Sequence, residues 1–420
     1  MLRIALCLVA LLVSSHLTAA EPREVADEVA AAIEREYFDA ARGARIAAGL
    51  RAEAARGGFD RLDNPLELAT GLTSALKPHD RHFNVRWSAA GDDPAGGRPA
   101  TPMPRPENDN FGIRQVQVLP GNVGYLDMRY FADFGFDAPQ PPARKAIEAA
   151  LQLLAHVDAL LIDLRDNGGG SPAMVGYLAS AFVEPGRDIY NTFHSRAGTE
   201  SEAPAQAYAS PRTQLPLYIL TSGRTGSAAE AFAYTLKNAK RATVVGEASG
   251  GAANPGRPYR LGNGFSVFVS NGTPVSPVTG GNWEGTGVQP DVEVASAEAM
   301  DEALRLALSA LVAQGKGDAA RWSLEALASS PPPVPPSTLA ALAGDYGAVR
   351  LEQVADALQL RQGRRPPMRL RPLSADLFFV DGEPTRRVRI ARAPDGRVAA
   401  LEVLGASGQV ARYPRAAAQP

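Results

Sequence analysis

The sequence predicts a mixed α/β core that follows a small helical domain and precedes a small antiparallel β module. Apolar residues recur at helical spacing over residues 21–87. Strand-like and helical runs alternate over 109–315, and short alternating strands separated by turn residues fill most of 338–420. Because strand, helix, strand order produces parallel strand pairs, the middle region should contain a mixed sheet covered by helices.

The N-terminus has the pattern of a signal peptide. One arginine precedes an uninterrupted apolar stretch from Ile4 to Val13, and mostly small residues follow up to Ala20. We expect residues 1–20 to be removed near Ala20, which makes the mature chain periplasmic or secreted. No later segment reaches the roughly 20 apolar residues that a membrane span needs, so no span is expected. Cys7 would leave with the peptide, and the core would then be stabilised without disulfides.

Residues 21–87 should form the helical domain. Val25, Val29 and Ile33 recur at helical spacing, and Asp63-Asn64-Pro65 is a typical helix start. The next stretch, 88–108, is crowded with Gly, Pro, Asp and Asn and has no apolar period, which predicts a linker.

The predicted core covers 109–315. Its expected strands lie at 123–131, 159–165, 215–222 and 242–247, its helices at 143–156, 174–182, 228–240 and 299–311, and a hairpin at 257–270. A helix and a proline-rich linker should occupy 316–337. The module after it, 338–420, should be a small barrel or sandwich.

Composition excludes several functions. The net charge of -2 gives no electrostatic footprint for nucleic acid. The mature chain would lack cysteine and has no paired-histidine motif at metal-ligand spacing, so we expect neither a metal nor another cofactor. The partner should instead be a peptide or an unfolded protein, as the following motifs indicate.

Ser227 is the candidate nucleophile. It follows a hydrophobic strand and a glycine-bearing turn and begins an Ala-rich helix, an arrangement that exposes a hydroxyl beside free helix N–H groups. The same residues, Ser227 to Glu230, also fit a capping box, which needs no catalysis.

A triple-glycine loop follows the preceding core strand, in the segment DLRDNGGGS from Asp163 to Ser171. Consecutive glycines let the backbone approach a ligand closely and direct N–H groups at a developing oxyanion. An ordinary flexible turn is the alternative. A phosphate-binding loop is disfavoured because the Lys-Ser/Thr pair is missing.

These two segments are followed in order by VVGEASGG (244–251) and WEGTGVQPDVEV (283–294). The four motifs together resemble the tail-specific, or C-terminal processing, proteases of peptidase family S41. The resemblance covers about half the chain and implies a ClpP/crotonase-like core and a serine endopeptidase. No PDZ-like segment is evident, which argues against recognition of substrate C-terminal tails.

The family has two catalytic arrangements, and this chain is similar to the tricorn and retinoid-binding branch. The Ser-Lys arrangement needs a lysine about 25 residues beyond the serine, whereas this chain has GGAANPG at 250–256. The branch resemblance implies His82 as base and Glu284 as the carboxylate that orients it. His79 is a rival base, although only His82 has the D-x-H spacing from Asp80. Tricorn protease has a linking serine where this chain has Arg81.

The same resemblance implies an oxyanion hole made by the N–H groups of Gly169 and Ala228, although Gly168 and Gly170 are alternatives to Gly169. Glu230 is expected to be structural. Two other functions remain open. The chain could be an inactive relative that binds a small apolar ligand or peptide, or the C-terminal module could be the binding element.

Overall fold

The computed structural model describes residues 21–89, 106–329 and 334–416. The predicted signal peptide, most of the predicted linker and part of the proline-rich run lie outside these ranges. Of the helices in the described ranges, none combines the length and hydrophobicity of a membrane span. The chain divides into a first unit, which contains the described parts of 1–103 together with 194–199 and 254–273, and a second unit with the remainder.

The helices are α1 Pro22–Glu36, α2 Ala40–Ala55, α3 Pro65–Leu76, α4 Pro142–Leu153, α5 Pro172–Ser180, α6 Ala228–Asn238, α7 Ala299–Ala313, α8 Asp318–Ala328 and α9 Pro336–Leu342. The strands before the C-terminal module are β1 Asn84–Trp87, β2 Ile113–Leu119, β3 Val123–Met128, β4 Ala159–Asp163, β5 Thr192–Ser195, β6 Gly198–Ser201, β7 Leu217–Thr221, β8 Thr243–Gly246, β9 Gly256–Arg260, β10 Phe265–Ser270, β11 Gly272–Val275 and β12 Val292–Glu293.

In the first unit, α1, α2 and α3 share a core with a three-stranded antiparallel sheet of order β1-β10-β9. The predicted helix start is confirmed: Asn64 caps α3 by accepting the Leu66 N–H at 2.9 Å, and Pro65 follows it. The predicted hairpin is also present as β9 and β10. It belongs to the first unit, however, because β10 pairs with β1 and buries Val267 among the helices. Its placement in the core was therefore wrong.

The second unit contains a six-stranded mixed sheet of order β12-β8-β7-β4-β3-β2. β2 runs antiparallel to β3, and the other pairs are parallel. Leu160 and Ile162 of β4 belong to the core that includes α4, α5 and α6, whereas Leu161 belongs to the core that includes α7. A sheet buried on both faces is typical of parallel α/β folds, and the predicted mixed α/β core is confirmed.

The C-terminal module has eight antiparallel strands in chain order. They are β13 Gly344–Tyr346, β14 Val349–Val354, β15 Ala357–Gln362, β16 Met368–Pro372, β17 Leu377–Val380, β18 Glu383–Arg392, β19 Val398–Gly405 and β20 Val410–Pro414. A bridge between Tyr346 and Arg415 joins the end of the last strand to the first, which makes the module a barrel. The barrel packs on α8, where the Arg387 guanidinium lies 4.4 Å from the Trp322 ring centroid and 2.6 Å from Glu325.

Candidate active site

Ser227 lies between β7 and α6, as the sequence predicted, and its side chain is exposed. Its backbone has φ 51° and ψ -120°, a region that a residue with a Cβ rarely adopts. Such a conformation costs on the order of 1–3 kcal/mol and persists only where neighbouring contacts enforce it. The strained turn therefore presents the hydroxyl at the start of the helix.

Two neighbouring segments hold this turn in place. The Thr225 hydroxyl donates to the Leu164 carbonyl at 2.7 Å, and the Gly226 N–H donates to the Asn167 carbonyl at 3.0 Å. From the other side, the Gly250 N–H donates to the Thr225 carbonyl at 2.8 Å. These bonds join the nucleophile turn to the loop after β4 and to the loop after β8, and they enforce its backbone conformation.

Glu230 is a fully buried carboxylate in the first turn of α6. It accepts the Ser227 N–H at 2.8 Å, so the predicted cap of its own helix is present. It also accepts the Ser249 hydroxyl at 2.6 Å and the N–H groups of Gly251 and Ala252 at 2.6 and 2.9 Å. The sequence analysis missed these three bonds, through which Glu230 joins the nucleophile to the loop after β8.

The triple-glycine loop lies directly beside the nucleophile. Gly169 has φ 120°, and a Cβ on it would lie 2.7 Å from the Ser227 Cβ and 3.1 Å from the Ala228 nitrogen. The carboxyl ends of the adjacent parallel strands β4 and β7 bring the two segments together. Of the predicted site residues, Ser227, Ala228 and Gly169 are therefore neighbours in the structure.

The assignment of the Gly169 N–H to the oxyanion hole stays a prediction, and in the structure this N–H already has an acceptor. That N–H donates to the Asn167 side-chain oxygen at 2.9 Å, so a substrate oxygen would have to compete with a buried amide. Gly168 and Gly170, by contrast, are exposed. The Ala228 N–H occupies the first position of α6, where no acceptor exists within the helix, and its role stays a prediction.

Asn167 and the ion pair between Arg165 and Asp163 fix the glycine loop. The sequence analysis gave a role to neither of them. The Asn167 amide also donates to the Met128 carbonyl at 3.0 Å. Arg165 donates to both carboxylate oxygens of Asp163, at 2.9 and 2.6 Å, and this partner raises the pKa of the guanidinium. Polar residues directly after a buried strand are the signal that could have found them.

Glu284 lies in the second unit with Ser227, and it is half-buried. Its carboxylate accepts the Ala253 N–H at 2.9 Å, and the adjacent Gly285 N–H donates to the Gly251 carbonyl at 3.0 Å. The loop that binds Glu230 through Gly251 thus also binds Glu284. Its proposed contact with a histidine stays a prediction.

His82 lies in the first unit, in the turn between α3 and β1. Its N–H donates to a carboxylate oxygen of the buried Asp80 at 2.8 Å, which fixes the backbone of the turn. His82 is half-buried, whereas His79 is exposed and its carbonyl accepts from Arg42. The pairing of His82 with Ser227 stays a prediction.

The strand, strained turn and helix at Ser227, together with the adjacent glycine loop, define an α/β domain with a site of the serine-hydrolase type. The family model described as Peptidase family S41 matches residues 122–294, which contain both features. Residues 122–294 are therefore similar to the peptidases of family S41.

Named relatives agree with this family. The chain is 30% identical over 190 residues to the chloroplastic carboxyl-terminal-processing peptidase 1 of Arabidopsis thaliana, covering 43% of this chain and 35% of the relative. It is 29% identical over 154 residues to the carboxyl-terminal-processing protease of Synechocystis, covering 36% of this chain and 33% of the relative. The chain thus spans about a third of the length of these curated relatives.

One similar solved structure is that of a photosystem II D1 C-terminal processing protease. It is 17% identical, with a TM-score of 0.42, and the alignment covers 66% of this chain and 93% of that chain.

Proposed function

We propose that this chain is an exported serine endopeptidase that hydrolyses peptides or unfolded proteins through an acyl-enzyme. The observation that carries the proposal is the exposed Ser227 at φ 51°, beside a glycine loop that a single added Cβ would obstruct. Strain is retained at a surface residue only when the fold enforces it, and such residues concentrate at functional sites. The S41 match over 122–294 supports the same reading.

In the proposed reaction, the Ser227 hydroxyl attacks the peptide carbonyl carbon and gives its proton to a neutral imidazole nitrogen of His82. The carbonyl oxygen, which becomes negatively charged, accepts hydrogen bonds from the Ala228 N–H and from an N–H of the glycine loop. A preorganised donor of this kind contributes about 10² to 10³ in rate. The Ser227 N–H is not part of the proposed oxyanion hole, because it donates to the Glu230 carboxylate.

The tetrahedral intermediate then expels the amine, which takes the proton from the His82 imidazolium. Water, deprotonated by His82, attacks the Ser227 ester, and the second tetrahedral intermediate expels the Ser227 oxygen, which takes the proton back from His82 as the acid product leaves. Glu284 would stabilise the imidazolium charge, and the Ala253 N–H would hold its carboxylate in position.

The location and the substrates are part of the proposal. A signal peptide over residues 1–20 would deliver the chain to the periplasm or the medium. Exported or unfolded polypeptides are therefore the proposed substrates, with no requirement for a particular C-terminal tail.

The test compares casein hydrolysis and fluorophosphonate labelling for the mature chain and for Ser227→Ala, His82→Ala and His79→Ala. The proposal expects Ser227→Ala to lose labelling and about 10⁴-fold or more in hydrolysis, and His82→Ala to lose a comparable factor. His79→Ala is the matched control and should stay within about threefold of the parent. Hydrolysis by folded Ser227→Ala would refute the proposal, whereas an inert parent would favour the ligand-binding alternative.

A further inference from the structure

A concave pocket of about 490 Å³ lies in the first unit, and His82 lines it. This volume falls within the usual range for ligand sites, roughly 300–1,000 Å³. The proposed reaction uses His82 alone from this group of residues, so it leaves the rest of the pocket without a role.

The floor of the pocket is the outer face of the small antiparallel sheet. In β1 and β10, Val85 pairs with Val267 and both side chains are buried in the helical core. Successive strand residues point to opposite faces, so Asn84, Arg86 and Phe268 present the other face and line the pocket. Alternate residues of these two strands therefore lie in the helical core and in the pocket floor.

Its wall is the turn after α3, which contributes Lys77 and Arg81. The Lys77 ammonium donates to the Arg81 carbonyl at 2.5 Å, which places this positive charge inside the turn. Phe268 supplies an apolar surface, and its ring centroid lies 6.5 Å from that of His82.

The pocket is strongly cationic. Lys77, Arg81 and Arg86 line it, and no Asp or Glu is among the lining residues in the part of the chain that the structure describes. Asp80 is adjacent in sequence, but it is 7% exposed and one of its oxygens accepts the His82 N–H. Three positive charges around a concave site favour an anionic group, because each charge attracts it.

We propose that this pocket binds a carboxylate of the substrate and makes the enzyme select peptides with an acidic residue near the scissile bond. The inference rests on the proposed function, since His82 would connect the pocket to the reacting bond. A glutamate or aspartate side chain supplies the carboxylate, and its methylene groups contact Phe268. The pocket thus determines specificity, whereas Ser227 and His82 perform the chemistry.

The first test measures kcat/KM for internally quenched peptides with an amidated C-terminus that differ at one position, as Glu, Gln or Lys. The Glu peptide should be favoured over the Gln peptide by about tenfold at one position, and high salt should reduce that ratio. Arg86→Glu should abolish the preference and favour the Lys peptide. Arg45→Gln, an exposed arginine of α2 outside the pocket, is the matched control and should preserve the ratio.

A second arm separates failure of the pocket from failure of catalysis. Binding of the same three peptides to Ser227→Ala is measured by calorimetry, and the Glu peptide should bind about tenfold more tightly. Equal affinities in the variant and equal kcat/KM values in the parent, with Ser227 of the parent still labelled by fluorophosphonate, would refute the role of the pocket and leave the proposed peptidase activity intact. Preference for a free C-terminus over an internal Glu, tested with non-amidated peptides, would assign the pocket to the terminal carboxylate instead of an acidic side chain.

Discussion

The turn that carries Ser227 and the turn that carries His82 both connect two regular elements, but they are held differently. The Ser227 turn is bound by the loops after β4 and β8 and by the buried Glu230. The His82 turn has two short-range bonds, from its N–H to Asp80 and from the Asp80 N–H to the Leu76 carbonyl, and one bond from Arg42 of α2 to the His79 carbonyl. The backbone of the strained nucleophile turn is thus bound to two loops distant in sequence and to a buried carboxylate, whereas the His82 backbone N–H is bound to a residue two positions away.

The largest effect is expected where the glycine loop contacts the Ser227 turn. Gly169→Ala should lower the rate of hydrolysis by about 10³-fold or more. The alanine Cβ would collide with Ser227, and the φ of 120° at this position strains any residue other than glycine. Gly223→Ala, in the nucleophile turn itself, is the matched control because an added Cβ there meets open space. If both variants cleave casein alike, the glycine loop does not lie beside the nucleophile.

Glu230 tests whether the strain depends on long-range contacts. The two Glu230 oxygens together accept four hydrogen bonds, and Glu230→Gln replaces one oxygen with an NH₂ group that faces these donors. We therefore expect a loss of about 10² to 10³ in kcat and of roughly 2–4 kcal/mol in unfolding free energy. Fluorophosphonate labelling rate and chemical denaturation measure the two effects separately. The exposed Glu247→Gln is the control. An active, stable Glu230→Gln would mean that local sequence alone holds the turn.

Glu202 tests whether the nucleophile helix is pH-sensitive. It is buried, and burial raises its pKa from 4.5 to about 7. Asn191 donates to both Glu202 and Thr235 of α6, at 2.8 and 3.1 Å. Because the folded pKa exceeds the unfolded one, the stabilisation is complete below pH 4.5 and is lost as the pH rises through about 7.

Glu202→Gln should remove this dependence. Denaturant unfolding at pH 5 and pH 8 should show the parent losing a few kcal/mol relative to the variant. Parallel pH profiles for the two proteins would contradict the raised pKa.

The smallest effect is expected in the base turn. Asp80→Ala removes the acceptor of the His82 N–H and should lower kcat/KM by about tenfold and unfolding free energy by roughly 1 kcal/mol. Asp80→Asn keeps an oxygen acceptor and should recover most of the rate. A loss as large as that of Glu230→Gln would show that the base turn also depends on more than its local bonds.

The sequence by itself determined the order of the elements and the residues of the nucleophile turn. Hydrophobic periodicity located the core helices and strands, and Asn64-Pro65 located a helix start. It missed β2, in which two exposed glutamines interrupt the apolar pattern, and the first and last barrel strands. Periodicity reports a buried face, and edge or short strands have little of one.

Only the tertiary structure decided which backbone groups meet at the site. The sequence shows that Asn167, Gly169 and Glu230 are present. It does not show that the Asn167 side chain accepts the Gly169 N–H, or that Glu230 binds a loop about twenty residues away. It likewise could not assign 254–273 to the first unit. Local propensity depends on neighbours in the chain, whereas these bonds depend on which distant N–H and C=O groups the packed sheets bring within 3 Å.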